Sequence, residues 1–279
     1  MSNRRFILFL QLLLMLCGLV YQRSIFAQIN QNGYNSNSSN REDKVNRLIT
    51  EAKEKLKGMS PKDLINILES EDKETYIRIA ASKLLAEIGT YDLLPSLKRI
   101  YNKLGNEMKF SIPNDSKMII RNSIPYAYVN IYLKTQTNDS RERINILFNL
   151  RKKYLDSFDK KTNPGDEALL SSGAVDILQN SIFNREEIDE ILKYKTDKDP
   201  RIRQLVISSL INNINELTLD VIKEFLNDSH WACRYYAIKA IEKSSDKSAI
   251  PILKNIVNNR NEHEKVREAA EKAIEVLSK

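Results

Sequence analysis

The sequence predicts an all-α chain, an α-solenoid of about six stacked helix pairs. Three observations carry that expectation. From residue 42 onward apolar residues recur at helical spacing, with no strong period-two segment. Glycine and proline number only 7 each, too few for a loop-rich β fold or a glycine-gated nucleotide site. A motif centred on arginine returns with spacings of 31 and 33 residues, the period of helix-pair solenoids.

Residues 1–27 read as a secretion signal. Arg4 and Arg5 give a positive start, and Phe6 to Val20 is a 15-residue apolar run interrupted by Gln11. Ala27 supplies a small residue for cleavage before Gln28. The run is short for a permanent span, which needs ~20 apolar residues. An uncleaved signal anchor is the alternative, as is a lipid on Cys17. Leu16 is not the small residue a lipobox wants, and Cys17 lies inside the apolar run. The expected location is therefore exported, periplasmic or secreted, with no stable membrane span once the signal is cut.

Cleavage would remove three arginines and no acids, lowering the charge surplus from +7 to +4. That is not the footprint of a nucleic-acid binder, so none is expected as a partner. Cys233 would be the one remaining cysteine, so no internal disulfide can form. Residues 28–41 are polar and low in complexity, and read as a disordered tether.

Residues 42–279 read as about thirteen helices with short breaks. Arg78, Arg203, Arg234 and Arg267 set the frame. One residue earlier stand Ile77, Ile202, Cys233 and Val266; three later stand Ala81, Val206, Ala237 and Ala270. Seven later come Leu85, Leu210, Ile241 and Ile274. Six earlier come Asp72, Asp197, Asp228 and, off-pattern, Asn261. Second helices repeat as well, with Pro95 and Pro251 in a first turn where proline loses no bond. At 115–156 the pattern weakens, and Pro125 should kink its helix.

These residues resemble the HEAT family, including the HEAT-like repeats of phycobilin-lyase-type proteins. The resemblance is clearest at 72–104, 197–227 and 228–258, with 262–278 as a closing helix. It implies helix pairs that bury a shared core only by stacking. Asp72, Arg78, Asp197, Arg203, Asp228, Arg234 and Arg267 are expected to form a structural ladder at the seam, each guanidinium bonding a neighbouring carboxylate and loop carbonyls.

No catalytic, cofactor-binding or metal-binding set is expected. Gly-rich phosphate loops are missing, and the only histidines are His230 and His263. Cys233 holds a buried frame position, so it reads as a packed thiol. Glu262 and Glu264 read as helix-start charges. The expected partner is a protein or peptide on the concave face, where Lys98, Arg99, Lys223 and Lys254 would form a basic row. Trp231 and Tyr235, four apart and taken as exposed at Tyr235, are the aromatic candidates. The chain is read as a binding scaffold and not as an enzyme. A lyase-like accessory of an enzyme system and a structural envelope protein are the competing readings.

Overall fold

The computed structural model describes residues 38–107, 115–162 and 165–279. The signal segment and Cys17 lie outside these, as does the tether up to residue 37. Among the described residues there are thirteen α-helices, three short 3₁₀ turns and no strand. The helices are α1 Ser38–Leu56, α2 Pro61–Glu69, α3 Thr75–Ile88, α4 Leu94–Glu107, α5 Ser116–Gln136 and α6 Ser140–Asp159. They continue as α7 Glu167–Asn180, α8 Arg185–Leu192, α9 Pro200–Leu210, α10 Glu216–Glu224, α11 Trp231–Ser244, α12 Ile250–Asn258 and α13 Glu264–Leu277. The first helix begins at Ser38, inside the segment 28–41 expected to be tether.

Local chemistry fixes the helix starts. Ser60 accepts the Asp63 N–H ahead of Pro61, and Asp139 accepts the N–H groups of Arg141 and Glu142. Asn184 with Glu187, and Asn215 with Thr218, close reciprocal capping boxes. Gly58 turns the chain at φ +89, where a side chain would be strained.

The helices fall into two compact units. The first runs to Gln136 and takes in Ala168–Gly173; the second holds Thr137–Glu167 and Ala174–Lys279. In the first unit α3 packs on α1, α2 and α5, and α4 packs on α5. Its core joins Leu64, Leu68, Leu85, Leu97, Ile100, Ile124 and Ile131. Helix α5 runs through Pro125 as one element. A Cβ on Gly173 would stand 2.1 Å from the Pro125 carbonyl oxygen, so glycine is what lets α7 approach so closely.

In the second unit α9, α11 and α13 pack one on the next, and α12 lies against α13. The repeat frame is the reason. Ile202, Cys233 and Val266 are fully buried, as are Val206, Ala237 and Ala270. Small residues at the stacking positions let neighbouring first helices come close. The outer face of α13 exposes Glu264, Glu268, Glu271, Lys272 and Glu275, the polar end that a stack needs in water.

Candidate interaction surface

A ladder of charge runs along the seam of the second unit. Lys152 reaches Asp197 at 2.5 Å. Arg203 grips both oxygens of Asp228 at 2.7 Å, and its remaining nitrogen donates to the Asp197 carbonyl at 2.7 Å. Arg234 grips Glu262 at 2.8 and 2.6 Å and donates to the Asp228 carbonyl at 2.6 Å. Arg267 closes the series on the Glu262 carbonyl at 2.5 Å. Each acid also accepts a backbone N–H at a helix start: Asp197 from Asp199, Asp228 from His230, Glu262 from His263. Burial would raise the carboxyls of Asp228 and Glu262, but the guanidinium and amide bonds outweigh it and hold both below the usual carboxylate range.

Two ladder expectations change. Asp72 is exposed and does not meet Arg78. The buried Arg78 instead donates to the carbonyl of Leu68, in the last turn of α2, at 2.9 Å. Arg121, in the first turns of α5, lies 3.7 Å over the Tyr101 ring and donates to the Tyr101 carbonyl. Glu262, taken from sequence as a helix-start charge, is a ladder member. Its longer side chain makes up for Asn261 standing where the frame calls for an acid.

The basic row does not stand free. Arg99 pairs with Glu69 at 2.5 Å, and Lys223 with Asp246 at 2.7 Å. Lys98 is half-buried, whereas Lys254 is exposed. Arg99 and Lys223 each bind an acid of an adjoining repeat, so much of the row's charge is neutralised at the seam.

The aromatic pair is also drawn inward. Tyr235 is half-buried and meets Tyr236 edge-on at 5.3 Å, which corrects its expected exposure. Trp231 is half-buried, with its ring stacked on His263 at 4.1 Å and 9°. Both histidines cap helices: His230 Nδ1 accepts the Ala232 N–H, and His263 Nδ1 the Lys265 N–H, each at 3.2 Å. Cys233 is buried, donates weakly to the Pro200 carbonyl at 3.5 Å, and has its thiol pushed up to about 12 by burial and by Asp228. Among the described residues no group of three metal-ligating side chains comes together.

A different surface offers itself in the first unit. Ile88 ends α3 at 43% exposure, and Tyr91 stands three residues on at 63%. Ile88 lines a cleft of about 220 Å³ with Lys53, Leu56, Lys57, Leu84 and Glu87. The cleft's charges are paired, Lys53 with Glu87 and Lys57 with Glu54. What this surface presents to a partner is therefore mainly apolar. Sequence reasoning missed it, because Ile88 continues the apolar pattern of its helix and only packing shows that it faces out.

Residues 188–275 match the family model of HEAT repeats. This stretch is built of HEAT repeats. It contains Arg203, Arg234 and Arg267, so the repeat frame and the seam are one feature. No curated protein sequence matches the chain. Among solved structures, human deoxyhypusine hydroxylase in complex with glycerol is similar at 13% identity and a TM-score of 0.35, covering 95% of this chain and 98% of that one. At that likeness no residue of the hydroxylase can be matched to a role here. No helix among the described residues is long and apolar enough to cross a membrane.

Proposed function

We propose that this protein is an exported helical-repeat scaffold holding a protein or peptide partner at the turn between α3 and α4. One observation carries the reading: the exposed Ile88 lines a cleft whose charges are already paired, and the exposed Tyr91 follows three residues on. Binding hot spots favour such aromatic and aliphatic anchors next to a pocket. The partner would insert an apolar side chain between Leu56, Leu84 and Ile88. The repeats supply rigidity, and the leader ending at Ala27 supplies export.

The lyase-like reading would need an activated nucleophile. The raised, buried Cys233 thiol and the two capping histidines speak against these groups filling that role.

The test uses the chain as bait against membrane and periplasmic fractions. Wild type should retain a stoichiometric protein, and Ile88→Asp with Tyr91→Ala should lose it without losing helix content. Replacing Lys98, Arg99, Lys223 and Lys254 by Glu should leave capture intact. If the charge variant loses the partner and the apolar variant keeps it, the site is the basic row. A bound tetrapyrrole in place of a protein would move the function to an enzyme system.

A further inference from the structure

Ile182 is the most exposed large apolar side chain among the described residues, at 77%. It lies between α7 and α8, in the stretch 181–184 that is neither helix nor turn. A single exposed isoleucine is ordinary on a protein surface. The main chain around this one is not ordinary. Ser181 is extended at φ −85, ψ 153, and Asn184 at φ −74, ψ 175. Buried Asn213 grips both neighbours of Ile182: its Nδ2 donates to the Ser181 carbonyl at 3.1 Å, and its Oδ1 accepts the Phe183 N–H at 2.7 Å. Asn212 extends the grip by donating to the Gln179 carbonyl at 2.8 Å, and Lys243 on α11 holds Asn212 in turn. The Phe183 side chain is buried, which anchors the segment further.

In an extended chain the N–H and C=O of one residue point to the same edge, and those of its neighbours to the opposite edge. The Asn213 amide occupies the edge of Ser181 and Phe183 as the main chain of a paired strand would. The N–H and C=O of Ile182 therefore face the other edge, and among the described residues nothing bonds either. The result is a strand edge one residue long, fixed on one side and open on the other, with an apolar side chain beside it. A helix has no main-chain groups to spare in its interior, so it cannot return both bonds. An extended peptide can, as in antiparallel pairing, where two facing residues exchange N–H···O bonds in both directions.

We propose that Ile182 is a docking point for an extended peptide segment of a partner protein, whose main chain pairs with the Ile182 N–H and C=O. The peptide residue opposite is not proline, which lacks the N–H. Its side chain lies on the same face as Ile182, where a β-branched or aromatic residue packs well. Because Asn213 already holds the segment extended, binding has little left to order on this side. The site uses none of the residues of the Ile88 cleft and does not depend on that reading.

The probe is a displayed library of random linear peptides, selected on the full chain and then measured as synthetic peptides. Selection should yield a peptide that binds Ile182→Asp ~10-fold or more weakly than wild type. Ile182→Val should keep binding. Ile182→Pro removes the donor and keeps an apolar side chain, and Ser181 already has the extended conformation that a following proline demands. It should bind the peptide ~3–10-fold more weakly than Ile182→Val does, the contribution of one hydrogen bond. N-methylation of the facing peptide residue should weaken binding to wild type by a similar factor, which serves if the proline variant folds poorly. Ile88→Asp with Tyr91→Ala should bind the peptide as wild type does. The proposal is overturned if no selected peptide is sensitive to Ile182→Asp. It is also overturned if the sensitive peptides tolerate N-methylation at every position, since the contact is then one of side chains alone. A dimer of the chain that Ile182→Asp dissociates, with no peptide selected, would replace it by pairing between two copies.

Discussion

Arg203 and Asp228 face each other as a two-pronged ion pair, both N–O distances 2.7 Å, across the seam between consecutive HEAT repeats. The arginine also holds the carbonyl of Asp197, the residue that occupies Asp228's place one repeat earlier. The same arrangement recurs at Arg234, Glu262 and the Asp228 carbonyl. Each guanidinium thus ties the start of its own repeat to the acid of the next. A planar fork does this and an ammonium cannot, because one face of it must satisfy two oxygens at fixed separation while another nitrogen reaches a carbonyl.

Asp228→Ala should destabilise the chain by ~2–4 kcal/mol, because Arg203 would stay largely buried without its counter-ion. Arg203→Met in that background should recover part of the loss. Denaturant unfolding of the two single variants and the double gives the coupling. Strict additivity would mean that the pair contributes no specific interaction.

Acid should dismantle the ladder only below the ordinary carboxylate range. Asp228 and Glu262 are held below ordinary carboxylate values, by hydrogen bonds and guanidinium charge that outweigh the cost of burial. Their stabilisation is fully present above the unfolded carboxyl range, ~4, and is lost as pH falls through the lower folded values. Melting temperatures of Asp228→Asn and wild type should therefore converge as pH falls below the ordinary carboxylate range of ~4, whereas near neutral pH wild type should lead. A constant gap across that range would contradict this account.

Much of this was legible from residue spacing. Arg203, Arg234 and Arg267 share a frame in which the residues one before and three after are fully buried, so their common direction follows from period alone. Asp197 and Asp228 followed as ladder acids for the same reason. The frame fails where the partner comes from a loop of different length. Glu262 sits one residue beyond the expected acid, and only its longer side chain places the carboxylate on Arg234. Asp72 fits the frame yet points to water, because Arg78 turns to a carbonyl instead. Lys152 on Asp197 joins residues 45 apart in sequence, and no periodic signal announces such a pair. Asn213 is another case. Buried, it accepts the Phe183 N–H at 2.7 Å and donates to the carbonyls of Ser181 and Ser209, locking two turns together. In the sequence it is one asparagine among many. The exposed Ile88 and Tyr91 were hidden for the converse reason, since a helical apolar pattern says which side chains share a stripe and not which of them remain uncovered.

Gly173→Ala should cost ~1–3 kcal/mol, although alanine is the better helix former. A Cβ there would meet the Pro125 carbonyl oxygen at 2.1 Å and Val129 Cγ2 at 2.5 Å. The first contact is backbone, so no rotamer change relieves it and two helices must separate. The control is Ser172→Ala, on the same helix beside it, which should change stability by a few tenths of a kcal/mol. Equal melting temperatures for Gly173→Ala and wild type would show that the close approach is not needed.

Cys233 should behave as core and not as a reagent. Its sulfur is buried at the frame position where Ile202 and Val266 stand, and its thiol is pushed up to about 12. The thiolate is the reactive form, so at neutral pH the folded protein holds almost none of it. Alkylation by an excess of a neutral maleimide should then proceed only through local opening of α11, at a rate set by the opening equilibrium. In denaturant the same thiol should react at the rate of a free cysteine. Cys233→Val should fold with near-wild-type stability, because the neighbouring repeats accept a branched aliphatic there, whereas Cys233→Asp should lose several kcal/mol by burying a carboxylate beside Asp228. Mass spectrometry of the alkylated chain, timed with and without denaturant, gives the two rates directly. Fast labelling of the folded protein at neutral pH would show an accessible thiolate and would reopen the case for nucleophilic chemistry at α11.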